Sequence, residues 1–150
     1  MLDLDAPSEN GRGRLHIIDR RNNMIELYVK GDSLWIEPGR LEENVYRGTP
    51  GVEQVVLFGD RNIGMLVAVV VPTAKFLAAH DGRASSPEAC RAMLARLQDQ
   101  GRACGVAAHE LPAAVILETE RWTFANGGLS AIGKVARAEL KIRYLVCLYQ

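Results

Sequence analysis

The chain has no excess charge of either sign: 18 lysines and arginines stand against 18 aspartates and glutamates, for a formal net charge of zero. Such a surface carries no broad positive field for a nucleic-acid backbone or an anionic membrane. Its basic residues are spread out, with one tight cluster at Arg20-Arg21, so no nucleic-acid partner is expected. Cysteine is scarce as well. Cys90, Cys104 and Cys147 cannot all pair and lack metal-ligand spacing, which excludes a disulfide framework and points to a reducing compartment. His16, His80 and His109 lie apart from one another and from the cysteines, so no metal site is expected. Long hydrophobic runs are missing: the longest, Met65 to Pro72, falls far short of the roughly 20 residues that cross a bilayer. The N-terminus is acidic and polar (Asp3, Asp5, Glu9), without the charged and apolar regions of a secretory signal. These absences predict a cytoplasmic protein with no transmembrane segment.

What is present suits one folded domain. The 150 residues are 48% hydrophobic, enough for a substantial core. Residues 1–13 carry Pro7, Gly11 and Gly13 without periodicity and read as a linker, leaving 14–150 as the domain. Leu15 to Ile18 reads as a short strand, stopped by the polar turn Asp19-Arg20-Arg21-Asn22-Asn23. Met24 to Val29 and Ser33 to Ile36 read as a hairpin, with Gly31-Asp32 as its turn signal. Pro38 suits the first turn of a helix to about Arg47, with Leu41 and Val45 on one face. Val52 to Phe58 and Ile63 to Val71 predict an antiparallel pair whose second strand is apolar enough to be central. Ala74 to His80 reads as a short helix. Pro87 to Ala103 predicts a long one, with Cys90, Leu94 and Leu97 inward and Gly105 as its cap. Ala113 to Leu117 is a third strand, and a helix from about Ala136 to Tyr144 closes the chain. The fold class is therefore α+β: a three-stranded, mostly antiparallel sheet flanked by helices, with an N-terminal β-hairpin.

The stretch with the most chemistry is Thr123-Phe124-Ala125-Asn126-Gly127-Gly128-Leu129-Ser130-Ala131-Ile132-Gly133-Lys134. Its three glycines permit left-handed backbone and close approach to another surface. No strand or helix periodicity runs through it before Val135. A lysine at its end is a movable point charge with three donors, suited to phosphate or to a developing oxyanion. On these residues alone the plainer reading is a solvated surface lysine. Trp35 and Trp122 read as packing anchors, because aromatics bury large areas. Arg137 and Lys141, one turn apart, read as a solvated helix face, with contact to a phosphate as the alternative.

Two ordered segments bring a family into view. Gly13-Arg14-Leu15-His16-Ile17-Ile18-Asp19-Arg20-Arg21-Asn22-Asn23 resembles the hinge motif of the AMP-forming acyl-CoA synthetases, the adenylate-forming superfamily. The run Asn126 to Lys134 resembles that superfamily's last motif, which carries its catalytic lysine. Between them, Gly51 to Asp60 and Leu66 to Pro72 match its sheet hairpin, so the resemblance covers about residues 13–144 in order. The wording is closest to the long-chain fatty acyl-CoA ligase and carboxylic acid reductase branches.

The resemblance implies the mobile C-terminal domain of an ATP-dependent fatty-acid-activating ligase. In such enzymes a carboxylate attacks the α-phosphorus of ATP, and a thiol then displaces AMP. It implies that Lys134 is the adenylation lysine, that Arg20 lies near the nucleotide ribose, that Asn22 is the hinge and that Gly31 contacts coenzyme A. The implied cofactors are ATP and Mg²⁺, bound mainly by a large N-terminal adenylation domain, and coenzyme A or a carrier phosphopantetheine. Asparagine replaces the aspartate or lysine usual at the hinge. These 150 residues hold no serine/threonine/glycine-rich phosphate loop, so the chain by itself is expected to be inactive in adenylation. Two alternatives stand beside this one: a free-standing, non-catalytic module that binds a synthetase or carrier protein, and the equivalent domain of a carboxylic acid reductase.

Overall fold

The computed structural model describes residues 2–4, 15–17, 24–84 and 86–148. Its centre is a three-stranded mixed sheet of β5 (Val52–Phe58), β6 (Val67–Pro72) and β7 (Ala114–Leu117), with β6 in the middle. β5 runs antiparallel to β6, with Leu57 opposite Ala68, whereas β7 runs parallel to β6, with Val69 opposite Ile116. Parallel pairing needs a long crossover, here made by α2 (Ala74–Ala78) and α3 (Pro87–Ala103). Every residue of β6 is buried, as its unbroken apolar run requires of a strand covered on both faces. Strand alternation sends Val55, Leu57, Ala68 and Val70 into one core layer and Val56, Phe58, Val67 and Val69 into the other. That strand starts at Val67 rather than Ile63, because Asp60 Oδ1 accepts the Ile63 N–H at 2.7 Å and turns the chain through Gly64 at φ +72°.

The first layer is closed by α3, by the hairpin of β3 (Ile25–Val29) and β4 (Asp32–Ile36), and by α1 (Pro38–Asn44). The hairpin turn is Lys30-Gly31, both at positive φ, which is type I′ geometry; Asp32 already belongs to β4. Trp35 lies across from Glu26 on the outward face and is 38% exposed, so it is not the packing anchor expected. α1 ends at Asn44 and a 3₁₀ turn, Tyr46–Gly48, follows. α3 has the expected bounds, with Ser86 Oγ accepting the Ala89 N–H and Gly105 at φ +75° past its end. Its buried positions are Ala89, Met93, Leu97 and Gly101, so the inward face is shifted from the Cys90–Leu94 edge, which is half-buried. The second layer holds Trp122, α4 (Arg137–Arg143) and α5 (Leu145–Leu148).

Within the segment read as a linker, β1 (Leu2–Leu4) pairs antiparallel with β2 (Leu15–Ile17). Arg20 and Asn22 lie outside the described residues. Among the described residues no helix is long and apolar enough to cross a membrane.

Candidate functional site

The lysine loop leaves β7 at Leu117 and is built around a buried aromatic. Trp122 is fully buried in the second core layer, as its bulk predicts. Its indole Nε1 donates to Tyr144 Oη at 3.1 Å, and that hydroxyl donates to Glu118 Oε2 at 2.7 Å. Burial pushes the Tyr144 phenol up to about 12, so it remains a donor across the neutral range. The Gln54 side chain grips the Trp122 backbone like a missing strand: it accepts the N–H at 2.7 Å and donates to the C=O at 3.0 Å.

Asn126 then ties the loop to itself. Its Oδ1 accepts the Thr123 N–H at 2.9 Å and the Gly128 N–H at 3.0 Å, and its Nδ2 donates to Arg121 O at 2.8 Å. Arg143 of α4 reaches the Asn126 carbonyl at 2.6 Å. Gly128 has no room for a side chain, since a Cβ there would stand 2.5 Å from Trp122 Cβ. The glycines that suggest a ligand at close range are thus partly explained by the loop's own packing.

Beyond Gly128 the chain makes a tight hairpin. Leu129 bridges Val135, the Ser130 N–H donates to Lys134 O at 2.7 Å, and the Lys134 N–H donates to Ser130 Oγ at 3.2 Å. Gly133, at φ +81°, closes the turn by donating to Ser130 O at 2.9 Å. Leu129 and Val135 sit against the core, so the stem is held while the tip is not. Lys134 is exposed, and among the described residues its ammonium has neither an ion pair nor a hydrogen-bond partner. The same loop also exposes two large apolar side chains, Phe124 at 69% and Ile132 at 78%. A loop that exposes a cation and apolar groups on a backbone fixed by hydrogen bonds is suited to meeting another surface.

Past the loop, Arg137 departs from the solvated face expected of it. It forms a buried ion pair with Glu42 of α1, 95 positions away in the chain. Burial raises the Glu42 carboxyl above the ordinary carboxylate range, while the hydrogen bond and charge of Arg137 pull the other way. Lys141 instead lies 3.8 Å from Asp60, partly exposed. Beside them a groove of about 230 Å³ is lined by Met24, Phe58, Gly59, Arg137 and Lys141.

Of the expected site residues, Lys134 and Gly31 are among those described, and each belongs to a hairpin turn. Lys134 closes the turn of its hairpin, paired with Ser130. Gly31 stands at the tip of the β3–β4 turn, where a Cβ would meet nothing within 4 Å among the described residues. Glu42, Gln54 and Asn126, which organise the loop, are not distinguished by their residue types. A faint signal exists for Glu42 alone, an acid three positions before the inward-facing Val45. Among the described residues no group of three or more His, Cys, Asp or Glu side chains is placed to hold a metal ion.

No protein-family model matches the chain. Carboxylic acid reductase of Mycobacterium marinum is 35% identical to it over 141 residues, which is 93% of this chain and 11% of the reductase. The peroxisomal long chain acyl-CoA synthetase 7 of Arabidopsis thaliana is 32% identical over 140 residues, 86% of this chain and 19% of the synthetase. Among solved structures, the A domain of carboxylic acid reductase from Segniliparus rugosus, in complex with AMP and a co-purified carboxylic acid, aligns with a TM-score of 0.75 at 32% identity. That alignment covers 93% of this chain and 21% of the A-domain chain. MatB from Rhodopseudomonas palustris shares the fold, with a TM-score of 0.54 at 19% identity. The chain therefore spans about a tenth to a fifth of the length of the proteins it matches.

Proposed function

The chain belongs to the adenylate-forming superfamily, and on that premise we propose that residues 14–150 are the mobile C-terminal domain of an ATP-dependent carboxylate-activating enzyme. Lys134 is its adenylation lysine. A substrate carboxylate oxygen forms a bond to the α-phosphorus of ATP, the bond to the β-phosphate oxygen breaks, and pyrophosphate leaves. Two anions must approach in that step, and an ammonium between them stabilises the charge that builds up. A thiol sulfur then attacks the acyl carbonyl, its proton is lost, and AMP departs. The open space around Gly31 gives that thiol's narrow arm a route across the β3–β4 turn. Arg20 and Asn22 are the proposed ribose contact and hinge. Mg²⁺ and most of ATP would be held by a large partner domain, and no step is assigned to a metal on this chain.

The observation that carries this reading is the exposed Lys134 ammonium, without a partner among the described residues, on a loop whose backbone is tied down on both sides. Two acceptors fit the second step, coenzyme A and a carrier phosphopantetheine. The reductase-type enzyme is favoured, because its A domains align at TM-scores of 0.74–0.76 and 30–32% identity, against 0.54 and 19% for MatB. A fatty acid is the proposed acid.

The test uses the intact enzyme that carries this domain. Lys134→Ala should slow carboxylate-dependent pyrophosphate release by about 10²-fold or more, the scale for losing one charge-stabilising donor. Thioester formation from supplied acyl-adenylate should change little. Equal losses in the two half-reactions would defeat the assignment. The chain alone, given ATP, Mg²⁺ and a fatty acid, should release no pyrophosphate.

A further inference from the structure

The corner between the lysine hairpin and α4 has no side-chain cap, for Ala136 occupies the N-cap position and offers no acceptor. The first helical residue fixes the corner instead. Arg137 Nη1 donates to Glu42 Oε2 at 2.8 Å and to Leu57 O at 2.9 Å, and Nη2 donates to Glu42 Oε1 at 2.5 Å. The same Glu42 Oε2 accepts the Leu57 N–H at 2.7 Å. β5 is an edge strand, so the ion pair satisfies both outward-facing backbone groups of Leu57. One planar fork on one carboxylate therefore joins α1, the sheet edge and the start of α4. The side chains are only 20% and 7% exposed, so water does little to loosen the joint.

We infer that Glu42 and Arg137 are positioning residues for Lys134, holding the C-terminal stem of its hairpin in register with the sheet; this inference depends on Lys134 being the adenylation lysine. Only Val135 and Ala136 separate lysine from arginine, and both are held: Val135 bridges Leu129, and the Ala136 N–H donates to Gly128 O at 3.0 Å. The lysine stem has a fixed maximum reach, so the placement of its Cα sets where the ammonium can meet the reacting oxygens. If the arginine fork lets go, the uncapped corner is free to shift, and the hairpin shifts with it.

In the intact enzyme, Glu42→Gln and Arg137→Lys should each lower adenylation by about 10- to 10²-fold, the scale of an ångström-sized misplacement. Thioester formation from supplied acyl-adenylate should hold. In a Lys134→Ala background, Glu42→Gln should cost adenylation nothing further, since there is no ammonium left to misplace. A multiplied loss in the double variant, or equal losses in both half-reactions, would show that the pair serves general stability and would overturn the inference. If Lys134→Ala impairs adenylation and Glu42→Gln does not, the positioning role fails while the lysine's role survives. If Lys134→Ala changes nothing, both fail. Amide hydrogen exchange on the 150-residue chain covers the case of intact-enzyme variants that do not fold. Glu42→Gln should speed exchange at the Ser130, Gly133 and Lys134 amides while those of β6 stay protected, whereas uniform acceleration, or none, would overturn the inference.

Discussion

The two ends of the lysine loop are anchored by opposite chemistry. At its start, uncharged donors do the work: the Gln54 amide grips the Trp122 backbone, and the indole and Tyr144 hydroxyl pass a hydrogen bond outward to the Glu118 carboxylate, with no ion pair among them. At its end, a half-buried arginine and a buried glutamate hold the corner. A neutral clamp loses little on desolvation, and its strength lies in the area that Trp122 buries. An ion pair loses much on desolvation and recovers it only while both partners and their hydrogen bonds are present. The start of the loop should therefore fail gradually as its pieces are removed, and the end should fail as a unit.

The largest effects should come from removing one whole component at each end. Trp122→Ala, measured by chemical denaturation of the chain, should cost about 3–5 kcal/mol through lost burial and the cavity left behind. Arg137→Met should cost about as much, roughly 3–5 kcal/mol, because it strands the Glu42 carboxylate in a buried site. The two differ in what rescues them. Adding Glu42→Leu to Arg137→Met should restore part of the loss, since no uncompensated charge then remains. The backbone groups of Leu57 would still lack partners, so recovery stays incomplete. A double variant less stable than Arg137→Met alone would break the comparison, because the end would then also behave as separate pieces.

Much of this fold could be read along the chain, and the exceptions share a cause. α3 is legible at both ends because Pro87 and Gly105 are local signals that act within a turn of where they stand. The turn at Lys30-Gly31 is legible to within one residue for the same reason. The two tryptophans are not separable: both are bulky, but Trp122 meets a covered face and Trp35 an open one, and that depends on what packs above each strand. The direction of β7 is equally hidden, because a crossover through two helices sets it. Lys134, the proposed adenylation lysine, is singled out along the chain by its glycines and its resemblance to a motif. The Glu42–Arg137 pair cannot, since nothing local links positions 95 residues apart.

Smaller effects sharpen the contrast at the start of the loop. Gln54→Ala leaves the part-buried N–H and C=O of Trp122 without partners and should cost about 1–3 kcal/mol. Tyr144→Phe leaves the buried indole N–H unpaired and belongs in the same range or below it, about 1 kcal/mol. If the start is a set of separable pieces, these two losses should nearly add in the double variant.

The finest distinction is in pH, because the end of the loop contains a carboxylate raised by burial. The Glu42 carboxyl is raised in the folded chain, first by burial and against the pull of Arg137. Its titration therefore favours the fold most below the ordinary glutamate value, about 4.3. That contribution declines as pH rises through the higher folded value and is level above it. Glu42→Gln should remove this component, so the difference in stability between variant and parent should itself change with pH across that window and flatten above it. Gln54→Ala alters no such group, so its difference from the parent should be the same on both sides of the window. Parallel pH curves for parent and Glu42→Gln would mean that the carboxyl titrates alike in the folded and unfolded chain. Burial would then not be setting its charge, and the two anchors would differ in their partners but not in the energetics of holding a charge out of water.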